Sequence, residues 1–192
     1  SLSNHINEIK RKHKSLKNKI AKAQNNLSNF DKTEIPDARK MIIGIVVSQW
    51  NNNVTDNLLK GAKDTLLDLN LVETNIIINN VPGTFELPLA AQYLLENTNV
   101  QGVIALGSVI QGETKHFDFV CDGATNGLMN VSLKYNKPVI MGILTDNTLQ
   151  QAIDRSGGKH GNKGVECAVA CVKMIALKKE IGSPKGKIGF NT

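Results

Sequence analysis

Four short apolar runs alternate with longer segments of helical spacing along 192 residues, and this alternation limits the chain to a narrow set of folds. The runs lie near residues 42–48, 75–80, 102–107 and 138–144; the helical patterns lie near 54–69, 85–96, 115–135 and 163–180, with a shorter one near 147–155. Val103-Ile104-Ala105-Leu106 is apolar throughout rather than alternating, as a strand covered on both faces is. Strands separated by helices need crossover connections. The expected architecture is therefore α/β: a three-layer, doubly wound parallel sheet. A hydrophobic content of 41% suffices for such a core, and no repeat of fixed period interrupts it.

Sheets of this kind bind ligands past the carboxyl ends of their strands. The third run leads into L-G-S-V-I-Q-G-E-T-K-H-F-D-F, Leu106 to Phe119, which delivers Gly107, Ser108 and Gly112 to such an end. From Thr114, the expected N-cap, Phe117, Val120, Cys121, Ala124, Leu128 and Val131 fall on one helical face. The backbone N–H groups of Gly112, Glu113 and Thr114 then stand at the positive end of a helix, where an anion such as phosphate is favoured. His116 follows in the first turn, and histidine is the side chain suited to exchanging protons near neutral pH. The first run ends in Ser48-Gln49-Trp50-Asn51, with the only tryptophan; the second ends in V-P-G-T-F-E-L-P, Val81 to Pro88, presenting Phe85 and Glu86. Ala152 to Gly164 sets Arg155 and Lys163 around a glycine-rich break. Taken singly, each has an ordinary explanation: Trp50 and Phe85 as packing residues, Glu86, Arg155 and Lys163 as solvated charges, His116 as an exposed first-turn histidine.

As a set they carry more. V-P-G-T-F-E-L-P, L-G-S-V-I-Q-G-E-T-K-H-F-D-F-V and D-R-S-G-G-K-H-G-N-K-G-V-E occur in the order and spacing of one family, and over 40–179 the chain resembles the lumazine synthases of riboflavin biosynthesis. The resemblance implies a flavodoxin-like fold and the condensation of 5-amino-6-(D-ribitylamino)uracil with 3,4-dihydroxy-2-butanone 4-phosphate to 6,7-dimethyl-8-ribityllumazine, with release of phosphate and water. It implies no metal and no organic cofactor. By the same resemblance Trp50 stacks on the pyrimidine, Glu86 and the Thr84 backbone hold the ribityl chain beside Phe85, and Ser108, Val109 and Ile110 line the ring. Gly112, Glu113, Thr114 and Arg155 meet the phosphate, Arg155 through its two-pronged guanidinium. Lys163 reaches the pyrimidine, and His116 is the general acid/base. The resemblance further implies a homo-oligomer with active sites between subunits, built from pentamers and in many members closed into a hollow shell, and an association with riboflavin synthase. No insertion enlarges the Gly157 to Gly164 turn, which favours the shell.

Two positions depart from the family pattern. Met141 stands where a phenylalanine is common against the bound substrates, and methionine packs on rings less rigidly. Gln111 stands where an arginine is common, which puts more of the phosphate charge on Arg155. Two other functions compete. A weakly catalytic shell or scaffold that binds lumazine or flavin has no need of His116, Glu86, Arg155 and Lys163 together, and a flavodoxin-type electron carrier needs a phosphate-cradling loop that Ser48-Gln49-Trp50-Asn51 does not supply.

Residues 1–40 hold ten Lys/Arg against four Asp/Glu, whereas the remainder holds thirteen of each, so the whole surplus of +6 precedes the family segment. Within 1–24, Leu2, Ile6, Ile9, His13, Leu16, Ile20 and Ala23 recur at spacings of four and three, the mark of an amphipathic helix or short coiled coil. Residues 25–40 read as a linker or arm, 41–180 as the catalytic domain and 181–192 as a flexible tail. Aromatic residues and arginine are scarce in the basic segment, which argues against nucleic-acid binding. No run suits a membrane span or a signal peptide, and Cys121, Cys167 and Cys171 read as small buried residues of a reducing compartment, so the expected location is the cytoplasm.

Overall fold

The computed structural model describes residues 6–13 and 26–183. Four strands, β1 (Ile43–Ser48), β2 (Ile76–Val81), β3 (Gly102–Ile110) and β4 (Val139–Asp146), form one sheet in the order β2-β1-β3-β4. Every pairing in it is parallel. The helices are α1 (Asn52–Asp68), α2 (Leu87–Asn97), α3 (His116–Tyr135), α4 (Leu149–Arg155) and α5 (Lys163–Gly182). Two short antiparallel strands, β5 (Ser156–Gly158) and β6 (Gly161–Asn162), join α4 to α5. This is the α/β architecture that the alternating pattern predicts.

Side-chain period explains the two cores. Along β1, Ile43, Ile45 and Val47 enter one core with Leu58 and Leu66 of α1 and Val172 of α5, while Val46 enters the other with Leu87 of α2 and Leu128 of α3. Every residue of β1 is buried, as its unbroken apolar run requires. Each fully buried Ile or Leu of this kind contributes about 1.5–3 kcal/mol. The chain leaves β1 toward β2 on one side and returns to β3 on the other, so the strand order reverses between β1 and β3. That reversal opens a crevice at their carboxyl ends.

Three boundaries differ from expectation. β3 continues to Ile110 because β4 pairs with it through Ile110 and Asp146, so Gly107 and Ser108 lie inside the strand rather than beyond it. α2 starts at Leu87, after a 3-10 turn over Thr84–Glu86, with Pro88 in its first turn where the missing N–H costs no hydrogen bond. α3 has Lys115 as its N-cap, without a side-chain cap; Thr114 lies one residue outside, and its Oγ1 accepts from His116 N at 3.3 Å. That hydroxyl closes the turn before the helix instead of capping it.

Of the expected N-terminal helix, residues 6–13 are helical and carry a Glu8–Lys12 pair one turn apart at 2.9 Å. The rest of that helix and the tail beyond Ser183 lie outside the described residues. The arm between has two anchors visible in its hydrogen bonds: Asp31 caps a 3-10 turn over Lys32–Glu34, and Leu27 and Ser28 bond to the link between α4 and α5.

Candidate active site

A cavity of about 640 Å³ occupies the crevice, within the range that holds small molecules. Its wall comes from Trp50 and Asn51 after β1, Gly83 to Glu86 after β2, Ser108 to Ile110 at the end of β3, and His116, Phe119 and Val120 on α3. The only tryptophan and two phenylalanines therefore meet here. Trp50 is 73% exposed, Phe85 60% and Phe119 70%, so neither Trp50 nor Phe85 is a core packing residue. Ring faces open to a cavity lined by one carboxylate and one histidine suit a flat heterocycle with polar substituents.

Local structure explains the placement. Asn51 takes a left-handed conformation (φ 57°, ψ 46°) that asparagine tolerates better than most residues, and it starts α1. Its Nδ2 donates to the Ser108 carbonyl at 3.0 Å, which ties the Trp50 loop to β3. Thr55 Oγ1 donates to the Ser48 carbonyl at 2.9 Å and closes the same loop from the helix side. Trp50 Cδ1 and Glu86 Oε2 flank Gly83, 3.2 and 3.0 Å from where a Cβ would stand, so a larger residue there would press on both. Thr84 is buried and Ser108 is 2% exposed, its Oγ without a hydrogen-bond partner among the described residues.

Arg155 and Lys163 do not line this cavity. They belong to a second cluster around the α4–α5 link. Arg155 Nη2 donates to Glu166 Oε1 at 2.7 Å and Nη1 to the His160 carbonyl at 2.8 Å; Lys163 Nζ donates to Glu166 Oε2 at 3.1 Å. A capping box, Thr148 with Gln151, starts α4 and so fixes where Arg155 falls at its end. Asn162 caps α5 by accepting from Gly164 N at 2.8 Å, and Glu166 sits in that helix's first turn, where a negative charge is favoured. Burial pushes the Glu166 carboxyl up, but its bonds to Arg155 and Lys163 outweigh this and hold it below the ordinary glutamate range. Asp146, at the end of β4, moves the other way: burial raises it and Arg155 offsets only part. Met141 is 44% exposed on β4, an edge strand of the sheet. Gly112, Glu113 and Thr114 are exposed in the β3–α3 link, outside the cavity lining.

The chain thus carries two separate clusters, one aromatic and acidic with a histidine, the other cationic. The model of the 6,7-dimethyl-8-ribityllumazine synthase family matches residues 40–179. The chain belongs to this family. It is 49% identical to the 6,7-dimethyl-8-ribityllumazine synthase of Flavobacterium johnsoniae over 161 residues, covering 84% of this chain and 85% of the relative. The enzyme of the same name from Cytophaga hutchinsonii is 50% identical over 157 residues, 82% of this chain and 98% of the relative, and that of Christiangramia forsetii 46% over 168, 87% and 100%. As a member the protein is an enzyme, a transferase of riboflavin biosynthesis.

Sequence reasoning missed Asn51, Phe119, Asp146, Glu166 and Ser28 as parts of these clusters. An asparagine before a helical run was the available signal for Asn51, and Glu166, three residues after Lys163, shares its helix face. Cys167 and Cys171 are buried, as expected, while Cys121 is only half-buried, as are Phe117 and Val120 in the same early turns of α3. Burial pushes the Cys167 thiol up to about 12, which leaves it inert as a nucleophile. Among the described residues no group of three or more His, Cys, Asp or Glu is arranged to hold a metal, and no helix is long and apolar enough to cross a membrane.

Proposed function

We propose that the centre at which the protein condenses 5-amino-6-(D-ribitylamino)uracil with 3,4-dihydroxy-2-butanone 4-phosphate is completed by two subunits, one giving the aromatic cavity and its neighbour the cationic cluster. The separation of the two half-sites within one protomer carries this reading. Trp50 stacks on the pyrimidine, Glu86 and the Thr84 backbone hold the ribityl chain, and Phe85, Ser108, Val109, Ile110 and the neighbour's Met141 close around the rings. Backbone donors of Gly112, Glu113 and Thr114 bind the phosphate with Arg155, whose five N–H donors exceed the two bonds it makes among the described residues. Lys163 reaches the pyrimidine. His116 moves protons during imine formation, phosphate loss and ring closure, and much of the remaining acceleration comes from holding two substrates in register.

Exposed Leu133 (72%) and Met129 (60%) on α3, with Leu89 and Tyr93 on α2, support the assembly, because apolar surface of this extent on neighbouring helices is ordinarily covered. The tight β5–β6 turn, free of insertion, supports a pentamer-based shell. The three free cysteines support a cytoplasmic location, and riboflavin synthase, which follows in the pathway, is the proposed partner.

Lumazine formation, followed by ultraviolet absorbance with both substrates, tests the reading. Arg155→Ala should raise KM for the butanone phosphate by about 10- to 100-fold, the worth of a charge-assisted phosphate contact, and leave KM for the pyrimidine within a few-fold. Equal losses for both substrates would remove Arg155 from the phosphate site.

A further inference from the structure

Glu166 is the hub of the cationic half-site, and something holds Glu166 from behind. Ser28, 138 residues away in sequence, lies with its Oγ 3.1 Å from Glu166 Oε1, the oxygen that also receives Arg155. The same Oγ accepts from Asn162 N at 2.6 Å and stands 2.9 Å from the Asn162 carbonyl. A hydroxyl has one proton to donate, and a carboxylate is the stronger acceptor of the two within reach. Leu27 N adds a bond to the His160 carbonyl at 3.3 Å, the group that also receives Arg155 Nη1. The arm therefore touches both acceptors that orient the Arg155 guanidinium.

The link is shaped to receive this arm. Gly161 has φ +86°, and a Cβ there would stand 2.3 Å from Asn26 Oδ1 and 2.4 Å from Ser28 Oγ. Only glycine relieves both the left-handed backbone and the collision. The contact lies N-terminal to residues 40–179, the segment that matches the family model.

We propose that Ser28 is a positioning residue: it fixes Glu166 Oε1 and through it the direction of Arg155, making the N-terminal arm a strap on the phosphate half of the site. This rests on the assignment of Arg155 to the phosphate. Glu166 in turn holds Arg155 and Lys163 as a pair, one on each oxygen, so its loss reaches both substrates whereas loss of Ser28 reaches one.

Steady-state kinetics of the full chain with both substrates test the strap. Ser28→Ala should raise KM for the butanone phosphate by about fivefold, less than the roughly tenfold of a direct hydrogen bond to a charged group because Ser28 acts through Glu166, with KM for the pyrimidine and the melting temperature close to the parent's. Ser28→Thr, which keeps the hydroxyl, should restore the parent value. Glu166→Gln should raise both KM values, and adding Ser28→Ala to it should change neither further, because the two act through one contact. A Ser28→Ala enzyme that matches the parent, or whose loss is shared by both substrates, or whose effect survives undiminished beside Glu166→Gln, overturns the proposal while Arg155→Ala still weakens the phosphate substrate selectively. If Arg155→Ala shows no such selectivity, the site assignment itself falls and the strap with it.

Discussion

A carboxylate and a histidine share the wall of one cavity with three exposed rings, and their different chemistries make separable demands. Glu86 accepts hydrogen bonds, so Glu86→Gln keeps the shape and loses charge; KM for the ribityl substrate should rise by roughly tenfold, the worth of a hydrogen bond to a charged group, and kcat should hardly move. Isothermal titration with that substrate alone is the check, and unchanged affinity would place the ribityl chain elsewhere. His116→Ala should lower kcat by about 10²-fold at most, since proton transfer is one contribution and orientation persists. A pH–rate profile that is the same with and without His116 would end its role as acid/base. Both residues were legible from sequence because each follows an apolar run that had to be a strand. Asn51 and Ser28 were not: the first works through a left-handed backbone and a bond to a carbonyl 57 residues on, the second through a contact 138 residues on, and neither leaves a periodic trace.

Between helices α4 and α5 one carboxylate, Glu166, pairs with two partly buried cations, Arg155 and Lys163. Glu166 has a folded-state value held below the ordinary 4.5, so its ion pairs stabilise the fold fully above that value and the contribution is lost as pH falls through the lower folded one. Thermal melts from neutral pH downward should show an acid limb below about pH 4.5 that is shallower in Glu166→Gln, which has no such proton to bind. An identical limb in both would assign the acid sensitivity to other carboxylates. Element boundaries were predicted within a few residues wherever hydrophobic period set them, as in α5. They moved where a partner strand or a local turn decided: β3 runs on to Ile110 in its pairing with β4, and α3 is capped at Lys115 rather than Thr114, whose hydroxyl bonds in the turn before it.

Across the whole molecule the proposed division of one centre between two subunits predicts complementation. Glu86→Gln combined with His116→Ala impairs the cavity of its own chain, and Arg155→Ala impairs the cationic cluster; with both substrates held well below their KM values, each alone should be slowed at least about tenfold. Unfolded together and reassembled as mixed oligomers, they should recover about a quarter of the parent rate, because centres that draw both sound halves from different chains form at random. No recovery from well-mixed assemblies would return the active site to a single chain. The strand order carries a consequence for synthesis. β1 is central in the sheet, yet both its neighbours lie later in the chain. On a ribosome, the first strand made must wait with its backbone donors and apolar faces uncovered until β2 and then β3 emerge, which makes the nascent chain most prone to aggregate before residue 110 has left the exit tunnel.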